Sequence, residues 1–211
     1  MIALVAATLR EARPLIDGLA ATEVPGAVFP TWRAVLGETP RAVTLLVSGV
    51  GKVAAAAATA GLLGGTPVDR LINFGACGAL VDRRDLTPGT LTQVGRAVEG
   101  DHLGLGDRPA DPVLCQQLAP AGLVCVDLVT VDRPVFEVER RSELAALGQV
   151  VDMEGAAVAR TAAWFGVPCA LLKGITDPAG EGDRALLRAN LDRVTAALAQ
   201  TVLELLSYSE R

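Results

Sequence analysis

The feature that most constrains this chain is a repeated switch of hydrophobic period. Short, largely apolar runs with strand character occupy residues 2–7, 42–48, 71–74, 90–94, 123–131, 150–151 and 169–175. Segments with helical spacing of their apolar residues lie between or after them, at 10–19, 51–63, 137–147, 155–165 and 184–206. Runs of a few residues without polar alternation read as strands buried on both faces, and the longer periodic segments read as helices. Strand and helix alternating almost throughout predict a layered α/β fold. No composition shift, repeat or low-complexity linker divides the chain, so residues 1–211 are read as a single domain, with the Gly/Pro-rich stretch 100–112 as an excursion from it.

Composition narrows the chemistry. With 211 residues, 51% apolar and a mean hydropathy of +0.40, the chain can bury a large core, and disorder is excluded as its main state. A net charge of −5 offers no footprint for a polyanion, so neither nucleic acid nor an anionic membrane is an expected partner. The longest uncharged run, 53–68, has 16 residues and is broken by Gly61, Gly64, Gly65 and Pro67, which is too short for a spanning helix. Cys77, Cys115, Cys125 and Cys169 are scattered with no CxxC spacing, and the amino end has neither basic leader nor cleavage site, so a reducing cytoplasm is expected and no metal or disulfide framework. The single histidine, His102, lies in a loop-like stretch, and none of Ser48, Ser142, Ser207 and Ser209 sits in G-x-S-x-G. Carboxylates remain as the expected acid and base.

In α/β sheets ligands collect where strands end and helices begin, so those junctions are the candidate sites. They carry Glu11, then Gly49 to Lys52, then Gly75 to Gly78, then Asp152-Met153-Glu154, and finally Asp177-Pro178. The second satisfies G-x-G-x-x-A, the dinucleotide fingerprint taken literally. That fingerprint also wants an acid at the end of the following strand, where this chain has Gly75-Ala76-Cys77-Gly78, so a dinucleotide dehydrogenase is a poor reading. Two alternatives stay open for the glycines, a tight turn that packs the helix closely or a backbone loop that faces a ligand, with Lys52 read as a solvated charge at the helix start.

Three segments, GVGKVAAAAATAGLL, INFGACGAL and VVDMEGAAVARTAAWFGVPCALLKGITD, in this order and spacing, resemble the purine nucleoside phosphorylase and nucleosidase superfamily. They look most like the methylthioadenosine/S-adenosylhomocysteine nucleosidases. The resemblance covers most of the chain and is weak only at 98–125. It implies a three-layer α/β/α sandwich around a mixed, partly closed sheet, and a cofactor-free hydrolase of a 5′-modified purine nucleoside that assembles as a homodimer or larger homo-oligomer. It also implies that Glu11 activates water, that Glu154 holds the sugar diol with Met153 packed on the ribose, and that Asp177 protonates the departing purine. Read without the resemblance, Glu11 and Glu154 are acids at helix starts, Met153 a core side chain and Asp177 part of an Asp-Pro turn. Phe136 stacks on the base or belongs to the core.

Several positions depart from the superfamily's pattern. Ala76 and Asp152, both expected at the substrate, stand where a serine or threonine is common and where glutamate is usual, Lys173 stands where arginine is common, and the segment 101–115 is short. Futalosine hydrolases and phosphate-dependent nucleoside phosphorylases, the hopanoid-associated type included, therefore stay open as alternatives, as does a nucleoside-binding protein without turnover.

Overall fold

The structure, a computed structural model, describes residues 1–37, 40–102, 112–117, 123–178 and 184–208. Ten strands and five helices follow one another among these residues. They run β1 (Ile2–Ala6), α1 (Leu9–Gly18), β2 (Thr22–Glu23), β3 (Thr31–Leu36), β4 (Arg41–Val47), α2 (Lys52–Gly65), β5 (Arg70–Ala79) and β6 (Leu91–Glu99). The second half continues with β7 (Val113–Leu114), β8 (Val124–Thr130), α3 (Val138–Ala145), β9 (Val150–Asp152), α4 (Gly155–Trp164), β10 (Cys169–Pro178) and α5 (Arg184–Tyr208).

The strands form one mixed sheet in the order β10-β6-β8-β9-β5-β1-β4-β3-β2, and β10 also pairs with β5. That extra pairing closes β5, β10, β6, β8 and β9 into a ring, from which β1, β4, β3 and β2 extend as an open flap. Helices cover both faces. On one, α1 and α5 bury Leu15, Val194, Leu198 and Val202 against Leu4, Leu45, Ile72 and Leu172 of the sheet. On the other, α2 and α4 lie over Val5, Leu71 and Leu171, and the small side chains of Ala55, Ala58, Ala156, Ala159 and Ala162 let the two helices sit close to the sheet. The expected three-layer sandwich with a mixed, partly closed sheet is therefore what the chain forms.

Three strands were not legible as apolar runs. The flap strand β3 has half-exposed positions, with Val35 67% exposed, and β2 and β7 have two residues each. A second correction concerns Gly75 to Gly78, expected as the loop beyond a strand that stops at Phe74. These residues lie inside β5, paired along β10 from Gly75↔Lys173 to Gly78↔Asp177. The opposite edge of β5 changes partner, running beside β1 up to Asn73 and beside β9 from Gly78 onward. Residues 74–77 face no strand on that edge, and this gap is where the site opens.

Candidate active site

A cavity of about 260 Å³ lies beyond the carboxyl ends of β1, β5, β8 and β10, near the lower end of the about 300–1,000 Å³ that small-molecule pockets span. Glu11, Ala76, Phe136, Asp152, Met153, Glu154 and Asp177, singled out in the sequence, all line it. His102 does not, and residues 103–111, the core of the short segment noted above, lie outside the described residues.

Glu11 does two things at once. Thr8 and Glu11 form a capping box at the start of α1, with the Thr8 hydroxyl and amide donating to Glu11 Oε2 at 2.8 and 2.9 Å. The other oxygen, Oε1, accepts from the Ala76 amide at 2.9 Å, in the gap along β5. The helix-start reading and the site reading are thus both satisfied by one carboxylate. Of about four acceptor positions on a carboxylate, three are filled by protein donors, which leaves room for one more donor from the cavity. Gly75 makes this reach possible, because a Cβ there would stand 2.8 Å from Glu11 Oε1.

Glu154 stands at the N-cap position of α4 but makes no capping hydrogen bond. The first helical amides are taken by others: Gly155 N donates to Asp152 Oδ2 at 2.8 Å, and Ala156 N donates to the Thr130 hydroxyl at 2.9 Å. Thr130 in turn donates to Asp152 Oδ1 at 2.6 Å. Freed from capping, the Glu154 carboxylate accepts from Gly51 N at 2.7 Å through Oε1, and Oε2 has no hydrogen-bond partner among the described residues. Gly49 and Gly51 have φ of +88° and +97°, so the turn before α2 depends on glycine and turns an amide toward the site. The junction is a tight glycine turn whose Gly51 amide is taken up by Glu154. Burial, then the negative charge of Asp152, pushes the Glu154 carboxyl up to about 7.

Beneath the cavity floor, Lys173 is 2% exposed and its Nζ lies 2.8 Å from Asp152 Oδ2 and donates to Asn73 Oδ1 at 2.8 Å. Burial is the largest influence and works against its charge, but the charge and hydrogen bond of Asp152, together with the charges of Glu154 and Glu11, outweigh it and hold the ammonium above the ordinary lysine range. Asp152, expected as a substrate ligand, has both oxygens engaged by Thr130, Gly155 and Lys173. Its geometry suits holding the α4 turn rather than gripping a ligand.

Asp177 follows a bulge in β10, where the register with β5 jumps from Ile175 to Asp177 and Thr176 is the extra residue. A bulge re-aims the side chains beside it, and here Thr176 and Asp177 both face the cavity. The Thr176 hydroxyl has Asp177 Oδ1 at 2.5 Å and the Cys77 carbonyl at 3.2 Å. Sequence reading passed over Thr176, Thr130 and the cavity-lining Leu187 and Leu191 of α5, because a buried threonine or leucine in an apolar run carries no signal of its own. Lys52 also differs from expectation: its ammonium is drawn among Glu99 (3.3 Å), Asp101 (2.6 Å) and Asp132 (3.2 Å) instead of standing in solvent.

A ligand cleft at the strand ends of a closed mixed sheet, walled by carboxylates, defines an α/β protein built to hold a small polar molecule. The chain matches the family model described as the phosphorylase superfamily over residues 1–207, and it belongs to that family. It is 32% identical over 203 residues to a futalosine hydrolase of Thermus thermophilus, covering 85% of this chain and 86% of the relative. A 5′-methylthioadenosine/S-adenosylhomocysteine nucleosidase of Maridesulfovibrio salexigens is 27% identical over 186 residues, covering 78% and 80%. In fold, the chain matches the structure of a futalosine hydrolase mutant of Helicobacter pylori with a TM-score of 0.89, at 22% identity and 98% coverage of both chains.

Proposed function

We propose that this chain is a nucleosidase, a single-domain enzyme that hydrolyses the N-glycosidic bond of a 5′-modified purine nucleoside to free base and free sugar. The observation that carries this reading is the placement of Glu11, Glu154 and Asp177 around one cavity, each supplied by a different strand end. Curated relatives named as hydrolases or nucleosidases support it.

Cleavage of the bond sends its electron pair to the base and leaves positive charge on the sugar, so a proton must reach the base and an oxygen must reach the sugar carbon. Asp177 gives its proton to the departing purine. Glu11, at the gap in β5, takes a proton from the water that attacks. Glu154 accepts hydrogen bonds from the ribose hydroxyls through its unpartnered Oε2, while Met153 packs on the sugar and Phe136 on the base. The Thr176 hydroxyl carries one hydrogen and has two acceptors in reach. It donates to Asp177 Oδ1 at 2.5 Å, with the Cys77 carbonyl at 3.2 Å as the second acceptor, and the shorter contact holds the Asp177 carboxyl at the cavity wall.

Phosphate is a poor co-substrate for this site. Among the described lining residues none is arginine or lysine, and Arg10, a nearby cation, is forked on Asp192 at 2.7 and 3.0 Å. Futalosine is favoured as one substrate to test by the relative at 32% identity, and methylthioadenosine by the motif resemblance. Self-association belongs to the same reading, since Val50, which lines the cavity, and Val53 are exposed, as does a cytoplasmic location; no helix among the described residues is long and apolar enough to cross a membrane. The test is a panel of purine nucleosides differing at the 5′ position, incubated with the protein and assayed for free base. Release of base from at least one 5′-modified member is expected. Tight binding without release from any member would overturn the reading in favour of a nucleoside-binding protein.

A further inference from the structure

Three carboxylates, Glu11, Asp152 and Glu154, are buried at one site, with exposures of 7%, 7% and 8%. Their nearest cation is Lys173, which contacts Asp152 alone among them. From the geometry we infer that Lys173 is a positioning residue: acting through Asp152, it offsets the negative charge of this cluster and so lets the Glu154 carboxylate accept the ribose hydroxyls when a nucleoside is bound. The inference rests on the role proposed above for Glu154.

The argument is one of charge and access. Asp152 is needed where it is because its oxygens hold the Gly155 amide and the Thr130 hydroxyl, and so fix the turn that aims Glu154. An ionised Asp152 would on its own disfavour a second and third carboxylate nearby, since like charges in a site of low dielectric oppose one another. The groups facing Glu154 are Asp152 from β9, Lys173 from β10, Glu11 from α1 and the Gly51 amide before α2. With all of them ionised the cluster carries −2. Without the lysine charge it would carry −3, and water cannot replace the ammonium beneath a closed floor. Lys173 is held for this purpose by Asn73, itself anchored by donating to the Val5 carbonyl at 3.0 Å. The ammonium therefore reaches the reaction only through Asp152 and through its field, and it is not among the residues that line the cavity.

The test compares wild type, K173M, D152N and the double variant K173M/D152N. One readout is the titration of the Glu154 carboxyl by carbon NMR in the unliganded protein, assigned by its loss in E154Q. The other is the acidic limb of kcat/KM for a nucleoside that is turned over. K173M is expected to move the Glu154 midpoint upward by about one pH unit or more, and the acidic limb with it. D152N, which leaves the lysine and removes one negative charge, moves both downward. The double variant restores the −2 balance and returns both close to wild type. A K173M protein that is folded yet titrates like wild type would overturn the inference, as would a double variant no closer to wild type than K173M. Should K173M not fold, K173M/D152N compared with D152N decides: loss of the lysine charge is expected to move the Glu154 midpoint upward between these two, and equal midpoints would overturn the inference. The NMR readout needs no turnover, so shifts as expected in a protein inactive on every nucleoside would count against the proposed function and leave the charge balance standing.

Discussion

At the scale of single residues, the site divides its carboxylates by surroundings. Glu11 sits among three donors, a set that an ionised carboxylate satisfies, and Glu11→Gln places an amide where those donors want an acceptor. Turnover in that variant is expected to fall by about 100-fold or more with nucleoside affinity nearly unchanged, measured as kcat against a direct binding constant. Asp177→Asn removes the proposed proton donor. It is expected to cripple cleavage of purine nucleosides while sparing a riboside whose leaving group needs no proton, such as a nitrophenolate, and equal losses on both would assign Asp177 a structural role. Glu154 has its carboxyl raised from its ordinary 4.5 to about 7 by burial and by Asp152. A raised carboxyl means that the folded state holds its proton longer than the unfolded chain does, so its contribution to stability is present at low pH and is lost as the pH climbs from 4.5 to about 7. Urea denaturation is therefore expected to show wild type losing stability relative to E154Q across that window. Affinity for ribose moves the opposite way, because the carboxylate accepts two hydroxyls better than the acid does.

At the scale of elements, much was legible and the exceptions share a cause. All five helices and seven of the ten strands stand where hydrophobic period placed them, because the period reports which face of a segment is buried. Partners far apart in the chain were not legible. Glu154 looked like a helix-start acid, yet the amides it would cap are taken by Asp152 and by Thr130, 24 positions away in sequence. Lys52 looked solvated because Glu99, Asp101 and Asp132 come from later segments. Gly75 to Gly78 looked like a loop because the length of β5 is set by β9 and β10, which follow it by 70 residues or more. The last case has a consequence that can be measured. Gly75 lies within a paired strand, and its missing side chain is what admits the Glu11 carboxylate to the Ala76 amide. Gly75→Ala is expected to leave the fold intact by circular dichroism while lowering kcat by about tenfold or more, since a carboxylate displaced by a fraction of an ångström no longer meets the attacking water.

At the scale of the whole molecule, closure of five strands into a ring puts the ends of β5, β8 and β10 around one mouth, and the gap between β1 and β9 along β5 lets α1 deliver Glu11 into it. The cavity is therefore lined by residues spread from Ala7 to Leu191, with the acids gathered only by the topology. The charge that results is negative on the attacking side, where Glu11, Asp152 and Glu154 share the single buried ammonium of Lys173. A site of this sign admits neutral water and opposes a phosphate dianion, which needs arginine, lysine or hydroxyl donors of the kind that Ala76 does not supply. Family membership alone does not choose between the two nucleophiles, and we propose that the electrostatics of this cavity do. The sugar product, followed with a cleaved 5′-modified nucleoside in phosphate buffer and in buffer free of phosphate, tests this most directly: equal rates with free pentose in both are expected, and strict dependence on phosphate with a sugar 1-phosphate as product would contradict the account.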